Sequence, residues 1–229
     1  MTGVVDGVSE EAAPDSVTPG RAGRGLFITF EGGDGSGKTT QSGLLAAALS
    51  DRGRSVLHTR EPGGTEIGVT IRELVLHHRG EIDARAEALL YAADRAQHIA
   101  TVVRPALAAG TVVLQDRYLD SSVAYQGMGR GLGRDRIRSL SLWAADGLLP
   151  DLTVLLDLSV EDGRARLDRA RTRYDRLESE AAEFHERVRR VYLDSAEAEP
   201  ERFLVVDAAR PPEDIASAVL ERVLQLVGS

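Results

Sequence analysis

The stretch that decides the fold is LFITFEGGDGSGKTT, residues 26–40. Its first part, LFITFE (26–31), is a short run of apolar and β-branched residues, which predicts a buried strand. A glycine-rich turn follows directly, and the next segment repeats leucine and alanine at helical spacing. The turn holds Lys38, the only lysine of the chain, since the other 27 of its 28 Lys and Arg residues are arginine. A strand, a glycine-rich turn and a helix in this order predict the start of an α/β domain.

The turn matches the pattern G-x-x-x-x-G-K-[ST]. Its glycines let successive backbone N–H groups turn inward around phosphate oxygens, and the N-terminus of the next helix adds about half a positive charge. The pattern predicts a nucleoside triphosphate site. Its members are Gly32, Gly33, Asp34, Gly35, Ser36, Gly37, Lys38, Thr39 and Thr40.

Two side chains of the turn have specific predicted roles. Lys38 carries a compact point charge that can enter a ring of backbone donors and reach the β- and γ-phosphates, whereas a guanidinium is planar and forked. We therefore predict that arginine cannot replace this lysine. Thr39 is predicted to supply a hydroxyl ligand to Mg²⁺.

Short apolar segments alternate with helical patterns along the rest of the chain. Further strands are predicted at 55–60, 111–116, 152–158 and 203–207, and helices at 66–77, 84–109, 134–146, 160–170 and 178–198, before a closing helix. Pro105 is predicted to break the helical stretch in which it lies. This alternation predicts an α/β fold of the P-loop type, with three α/β/α layers and a five-stranded parallel sheet.

Length and composition predict one domain. Residues 1–24 are rich in Gly, Ser, Pro and acids and predict a disordered extension, and residues 25–229 predict a single domain,. A net charge of −8 argues against nucleic-acid binding, and no apolar run is long enough for a membrane helix,. The chain has no cysteine and its N-terminus does not resemble a signal peptide, so we expect a cytoplasmic protein,.

The phosphate loop leaves the reaction open between a kinase and a GTPase- or ATPase-like switch. A GTP-binding switch usually has a second motif of the N-K-x-D type, which this chain lacks the lysine to form. A kinase needs further arginines at strand ends, because two anionic substrates must be held together. Arg60 ends the second predicted strand and Arg117 follows the third, which favours a kinase.

Five motifs together resemble the bacterial thymidylate kinases. They are EGGDGSGKTT (31–40), REPGGT (60–65), EALLYAADRAQH (87–98), DRYLDSSVAYQG (116–127) and PDLTVLLDL (150–158). The resemblance implies the reaction of ATP with dTMP to ADP and dTDP, with Mg²⁺, in a protein that is typically a homodimer. A kinase for another nucleotide and, less favoured, a P-loop ATPase acting on a partner protein remain the alternatives.

The resemblance also implies roles for the anionic and cationic residues. Arg60 and Arg117 would hold the dTMP phosphate, and Arg117 and Lys38 would act in the transfer. Asp116 would either lie near Mg²⁺ or orient Arg117. Asp34 resembles the carboxylate directed at the sugar 3′-hydroxyl.

The base would be recognised by a helix and the segment after the third strand. Tyr91 and Arg95 lie four residues apart and match an element in which the ring stacks on thymine and the arginine donates to its O4 atom. Ser122 and Gln126 are candidates for the polar edge of thymine. Tyr125 is the candidate that would exclude a ribose 2′-hydroxyl.

An arginine-dense segment, DRARTRYDRLESE (168–180), resembles the lid that closes over ATP. Position 35 is glycine, where one branch of the family has arginine, so the catalytic arginine is expected from the lid. Arg171 and Arg173 are the two candidates.

Overall fold

The structure, a computed structural model, describes residues 24–170 and 174–227. Within these residues one sheet contains β1 (Phe27–Glu31), β2 (Val56–Arg60), β3 (Val112–Asp116), β4 (Leu152–Asp157) and β5 (Phe203–Asp207). The strand order is β2-β3-β1-β4-β5, and every neighbouring pair is parallel. The predicted five-stranded parallel sheet is confirmed.

The helices of the described residues are α1 (Lys38–Ser50), α2 (Glu66–His77), α3 (Ala84–His98), α4 (Arg104–Ala108), α5 (Leu119–Ser122), α6 (Arg134–Ala144), α7 (Val160–Ala170), α8 (Ala182–Ala198) and α9 (Pro212–Val227). Two π-helical segments, Ile99–Val103 and Val123–Gly129, follow α3 and α5. None of the described helices is long and apolar enough to cross a membrane.

Two helix predictions differ from the structure. The expected break at Pro105 is absent, because the helical chain passes from α3 through the π-helical segment into α4, and Pro105 is the second residue of α4. The helix predicted from residue 178 begins at Ala182. The Asp175 carboxylate accepts bonds from the backbone N–H groups of Leu177 and Glu178, which closes a turn before the helix.

The sheet is covered on both faces because its strands alternate their apolar side chains. Ile28 and Phe30 of β1 point into a core formed with α1 and α9. Phe27 points to the opposite face, where it packs against Val103 and Leu107. These side chains are at most 3% exposed, so the strand is buried on both sides, as its continuous apolar sequence predicts,. The predicted three-layer arrangement is confirmed.

The register of the strands brings several polar residues to one edge. Asp116 is the last residue of β3 and lies opposite Phe30 of β1 and Arg60 of β2. The loops after β1, β2 and β3 therefore begin side by side at the carboxyl edge of the sheet. This edge is where open parallel sheets bind their ligands.

Two regions that were interpreted from the sequence fall outside the described residues. Nearly all of the predicted extension, 1–24, does so, although Arg24 is described and pairs with Asp151. In the predicted lid, Arg171 and Arg173 also lie outside the described residues.

Candidate active site

An open cavity of about 840 Å³ lies at the carboxyl edge of the sheet. The phosphate loop forms one wall, and the ends of β2 and β3 form its floor. The opposite wall comes from α3, the π-helical segment after α5 and the turn that contains Asp175 and Glu178. Substrates bound against the two walls would face each other across the strand ends.

The phosphate loop has its shape because glycine is required at two close contacts. Gly32 has φ of 132°, and a Cβ atom there would lie 2.4 Å from the Leu156 carbonyl oxygen. Gly35 has φ of 76°, and its Cβ would lie 2.5 Å from the Gly163 carbonyl oxygen. A side chain at either position would therefore push the loop away from the sheet and from α7.

Lys38 is held inside the loop. Its Nζ atom donates to the carbonyl oxygens of Gly32 at 3.2 Å and Gly33 at 2.8 Å. Burial, together with the positive charge of Arg117, lowers the pKa of this lysine. The structure thus places the ammonium group against backbone carbonyl oxygens, and its contact with phosphates stays a prediction.

Thr39 and Asp116 place two oxygen atoms beside the loop. The Thr39 hydroxyl donates to Asp116 Oδ2 at 2.9 Å. Among the described residues, no three His, Cys, Asp or Glu side chains form a group that could hold a metal ion. A hydroxyl and one carboxylate suit Mg²⁺ that keeps several waters and binds phosphate oxygens, rather than an ion held by protein alone.

Arg117, which follows β3, lies against the phosphate loop. Its guanidinium donates to the Gly32 carbonyl oxygen at 3.2 Å and forms an ion pair with Asp34. Burial alone would raise the pKa of Asp34, but the charges of Arg117 and Lys38 hold it below its usual value. Asp34 is therefore an anion that fixes the guanidinium next to the phosphate loop.

A second positive group lies at the end of β2. Arg60 lines the cavity, and Arg72 of α2 lies close enough that burial and the Arg60 charge lower the pKa of Arg72. Arg72 also donates to the Pro62 carbonyl oxygen at 3.0 Å. Two neighbouring guanidinium groups repel each other unless an anion lies between them, so this end of the cavity suits a phosphate.

The guanidinium of Arg95, in α3, lies at the opposite wall, where hydrogen bonds fix the orientation of its planar fork of N–H donors. It is 2% exposed, and it donates to Glu61 Oε2 at 2.9 Å, Ser141 Oγ at 3.1 Å and Ser122 Oγ at 3.2 Å. These contacts engage three of the five N–H donors of a guanidinium,. The buried Glu61 compensates the charge, and the remaining donors suit a carbonyl oxygen of a ligand.

Comparison with known proteins decides the family. A family model described as thymidylate kinase matches residues 30–219. The thymidylate kinase of Clavibacter michiganensis subsp. michiganensis is 69% identical over 205 residues, which covers 90% of this chain and 97% of that protein. The chain belongs to the thymidylate kinase family.

Further relatives of the thymidylate kinase family agree. The thymidylate kinase of Leifsonia xyli subsp. xyli is 69% identical over 195 residues, covering 85% of this chain and 92% of that protein. The crystal structure of thymidylate kinase from Ehrlichia chaffeensis superimposes with a TM-score of 0.72 at 34% identity, covering 88% of this chain and 99% of that one. As a thymidylate kinase, the protein is a phosphotransferase that uses small nucleotide substrates.

The structure brings every predicted substrate residue to the cavity. They are Asp34, Arg60, Tyr91, Arg95, Arg117, Ser122, Tyr125 and Gln126. The Tyr125 hydroxyl donates to Asp34 Oδ2 at 3.2 Å. The Gln126 side-chain amide donates to Glu87 Oε1 at 2.8 Å, so one of its two N–H donors is already engaged within the protein,.

The predicted nucleotide residues divide into lining and supporting positions. Asp34, Gly35, Gly37, Lys38, Thr39 and Thr40 line the cavity. Ser36 is 2% exposed and belongs to the underside of the loop. Gly32 and Gly33 contribute the carbonyl oxygens that bind Lys38.

Sequence reasoning missed the charged lining residues Glu61, Arg72, Arg166, Asp175 and Glu178, and the hydroxyl of Ser121. Arg166 of α7 donates to the Gly35 carbonyl oxygen at 3.4 Å, and so supports the phosphate loop from a distant segment. Glu61 stood within a recognised motif and could have been assigned as the partner of a buried arginine. The helical sequence around Arg166 gives no such signal.

Proposed function

We propose that the chain transfers the γ-phosphoryl group of ATP to dTMP, giving ADP and dTDP, with Mg²⁺. The observation that carries this proposal is the buried Arg95 fork, which shares one cavity with Lys38 of the phosphate loop. The Arg95 guanidinium suits a base with a carbonyl group, and Lys38 suits a nucleoside triphosphate.

Transfer between these substrates needs no general base from the protein. The acceptor is a phosphate oxygen, which is largely ionised at neutral pH because the second pKa of a phosphate monoester is about 6. The protein must instead hold the two anions in line and neutralise their charge. Arg60, Arg72 and Arg117 would hold the acceptor phosphate, and Lys38 would contact the transferred group.

Arg95 would select the base by its hydrogen bonding. Its free N–H donors match the O4 carbonyl of thymine, whereas cytosine presents an amino group at that position and would place donor against donor. Tyr91 would stack on the base, and Ser122 lies beside Arg95 at its polar edge,. Tyr125, bonded to Asp34, would close the space that a ribose 2′-hydroxyl requires.

Thr39 and Asp116 would hold Mg²⁺ at the phosphate loop. When bound, the ion would neutralise charge on the β- and γ-phosphates. Arg171 and Arg173 stay predicted catalytic residues of the lid, and a cytoplasmic location stays a prediction supported by the cysteine-free sequence.

A homodimer is proposed through helices beside the sheet. Trp143 of α6 is 81% exposed, Leu89 of α3 is 59% exposed and Ile67 of α2 is 55% exposed, on helices that pack against one another. Exposed apolar residues of this size favour a partner surface, and the family resemblance makes a second copy of the chain the partner. Light scattering should give twice the chain mass for the wild type and a monomer for Trp143→Glu.

The test of the proposed function is ADP release with ATP, Mg²⁺ and each of dTMP, dUMP, dCMP, dGMP and AMP. We expect the highest kcat/KM with dTMP, lower values with dUMP, and little turnover with the others. A higher kcat/KM with another acceptor would indicate a kinase for that nucleotide instead of dTMP. ATP hydrolysis that no acceptor accelerates would overturn it in favour of an ATPase.

A further inference from the structure

Tyr192 of α8 contacts residues beneath the cavity, although it is far in sequence from every motif that lines the cavity. Its side chain is 1% exposed. Its hydroxyl lies 3.0 Å from Glu31 Oε2, 2.8 Å from Ser121 Oγ and 3.4 Å from Arg117 Nη1. Glu31 is the last residue of β1 and is 0% exposed. The cluster therefore joins three separate segments beneath the guanidinium of Arg117.

The cluster contains a guanidinium, two hydroxyls and the buried carboxyl group of Glu31, and burial together with the charge of Asp120 raises the pKa of Glu31 to about 7. A guanidinium can only donate, and an ionised carboxylate can only accept. Arg117 Nη1 donates to the hydroxyl oxygens of Ser121 at 3.2 Å and Tyr192 at 3.4 Å. Both hydroxyl oxygens lie within hydrogen-bond distance of Glu31 Oε2, at 2.6 Å and 3.0 Å, and of each other, at 2.8 Å. The two hydroxyls thus connect the buried carboxylate to one nitrogen of Arg117.

Glu31 also holds the backbone that carries Arg117. Arg117 has φ of 65°, a left-handed conformation that is uncommon for a residue with a long side chain,. The backbone N–H groups of Tyr118 and Ser121 donate to Glu31 Oε1 at 2.8 Å and 3.3 Å. One carboxylate therefore fixes both the turn after β3 and, through the hydroxyls, the side chain that projects from it.

The second terminal nitrogen of the Arg117 guanidinium, Nη2, is bound by a different group. Arg117 Nη2 pairs with Asp34 and lies 3.5 Å from the Tyr125 hydroxyl. Without the hydroxyl of Tyr192, Nη1 loses one of its three acceptors and keeps the Gly32 carbonyl oxygen and the Ser121 hydroxyl, so the ion pair of Nη2 with Asp34 restrains the guanidinium with less opposition. The guanidinium would then be free to turn toward Asp34 and away from the place of the acceptor phosphate.

We propose that Tyr192 is a positioning residue for phosphoryl transfer: with Ser121 and Glu31, it fixes the orientation of Arg117. The inference rests on the role proposed for Arg117 in binding and transferring the phosphate. Tyr192 touches no substrate in this account and acts through the arginine. It also links α8, which follows the predicted lid, to the centre of the site.

The variant Tyr192→Phe tests this because it removes the hydroxyl and keeps the buried ring. Ser195→Ala is the matched control, since Ser195 lies on the same helix, is 5% exposed and accepts a bond from Arg134 at 3.0 Å, away from the cavity. We expect kcat/KM for dTMP to fall about tenfold in Tyr192→Phe, with the KM for ATP unchanged, because a hydrogen bond to a charged group is lost. Ser195→Ala should keep the wild-type value at a similar melting temperature.

The double variant Ser121→Ala/Tyr192→Phe separates positioning from simple destabilisation. Both hydroxyls serve the same nitrogen, so their effects on kcat/KM should be non-additive, whereas Tyr192→Phe and Ser195→Ala should combine additively. Unchanged kcat/KM for dTMP in Tyr192→Phe, or an equal loss in Ser195→Ala, overturns the inference while leaving the proposed function intact. A wild-type protein without dTMP-dependent ADP release refutes the proposed function and this inference with it.

Discussion

The two walls of the cavity are built in different ways. The wall proposed to bind ATP is a single continuous stretch, residues 32–40, whose backbone shape depends on glycines with positive φ. The wall proposed to bind the acceptor, here called the acceptor wall, consists of side chains from separate segments and contains the buried ion pair of Arg95 and Glu61. A backbone site depends on local conformation, whereas a side-chain site depends on distant partners. Substitutions in the two walls should therefore change different kinetic constants of the enzyme.

The largest effect is expected in the ATP wall. Lys38→Arg keeps the charge but introduces a planar fork where the lysine donates to two carbonyl oxygens of the loop,. We expect kcat to fall about a thousandfold, as when a principal stabilising group of a transition state is lost. Steady-state ADP release measures this, with Arg52→Lys in the exposed turn after α1 as the control. Turnover near the wild-type level in Lys38→Arg would refute our explanation of the single lysine.

Arg95→Lys tests the acceptor wall in the same manner. A lysine cannot donate to Glu61, Ser122 and Ser141 in one plane, so both the base contact and the buried ion pair are weakened,. We expect kcat/KM for dTMP to fall about a hundredfold and the KM for ATP to stay constant. Arg85→Lys, at the exposed start of α3, is the matched control. An equal rise of both KM values would contradict the separation of the walls.

Glu61→Gln refines the comparison by keeping the shape of the partner while removing its charge. The bond from Arg95 Nε, 2.9 Å long in the wild type, would no longer be charge-assisted,. We expect the KM for dTMP to rise about tenfold, with a smaller change in kcat. If the KM for dTMP is unchanged, the charge of Glu61 does not contribute to holding the fork.

The contrast between the walls also explains what the sequence could predict. The phosphate loop and the strands were predictable because their signals are local: apolar runs, and glycines next to a lysine. A spacing of four residues places Tyr91 and Arg95 on one helical face, but their selection as site residues came from the resemblance. The site residues beyond these motifs depended on resemblance, and their roles remain proposals.

Contacts between distant segments gave no sequence signal. Tyr192 meets a residue 161 positions earlier in the chain, and Arg166 supports a loop 131 positions earlier. Such pairs exist because α7 and α8 pack onto the sheet edge, and no local pattern specifies that packing. The π-helical segment Ile99–Val103 was missed for a related reason, since its sequence continues the apolar pattern of α3.

The smallest expected effect is on the free energy of unfolding, and it comes from the titration of Asp94, which lies behind the acceptor wall. Burial and the negative charge of Glu61 raise the pKa of Asp94 from 3.8 to about 6. Because the folded state holds this proton more tightly, the free energy of unfolding should fall as pH rises from about 4 to about 6, by about 2 kcal/mol. Denaturant unfolding at several pH values should show this decline in the wild type and a weaker one in Asp94→Asn. Parallel pH curves for the two proteins would contradict the assignment.

Separate binding of the two substrates tests most directly whether the walls are independent. Calorimetric titration of ATP and of dTMP should be carried out on Lys38→Ala and Arg95→Lys, alongside the wild type. We expect Lys38→Ala to bind ATP at least about tenfold more weakly while its dTMP affinity is retained, and Arg95→Lys to show the reverse. Loss of both affinities to the same degree in either variant would contradict a site made of one backbone wall and one side-chain wall.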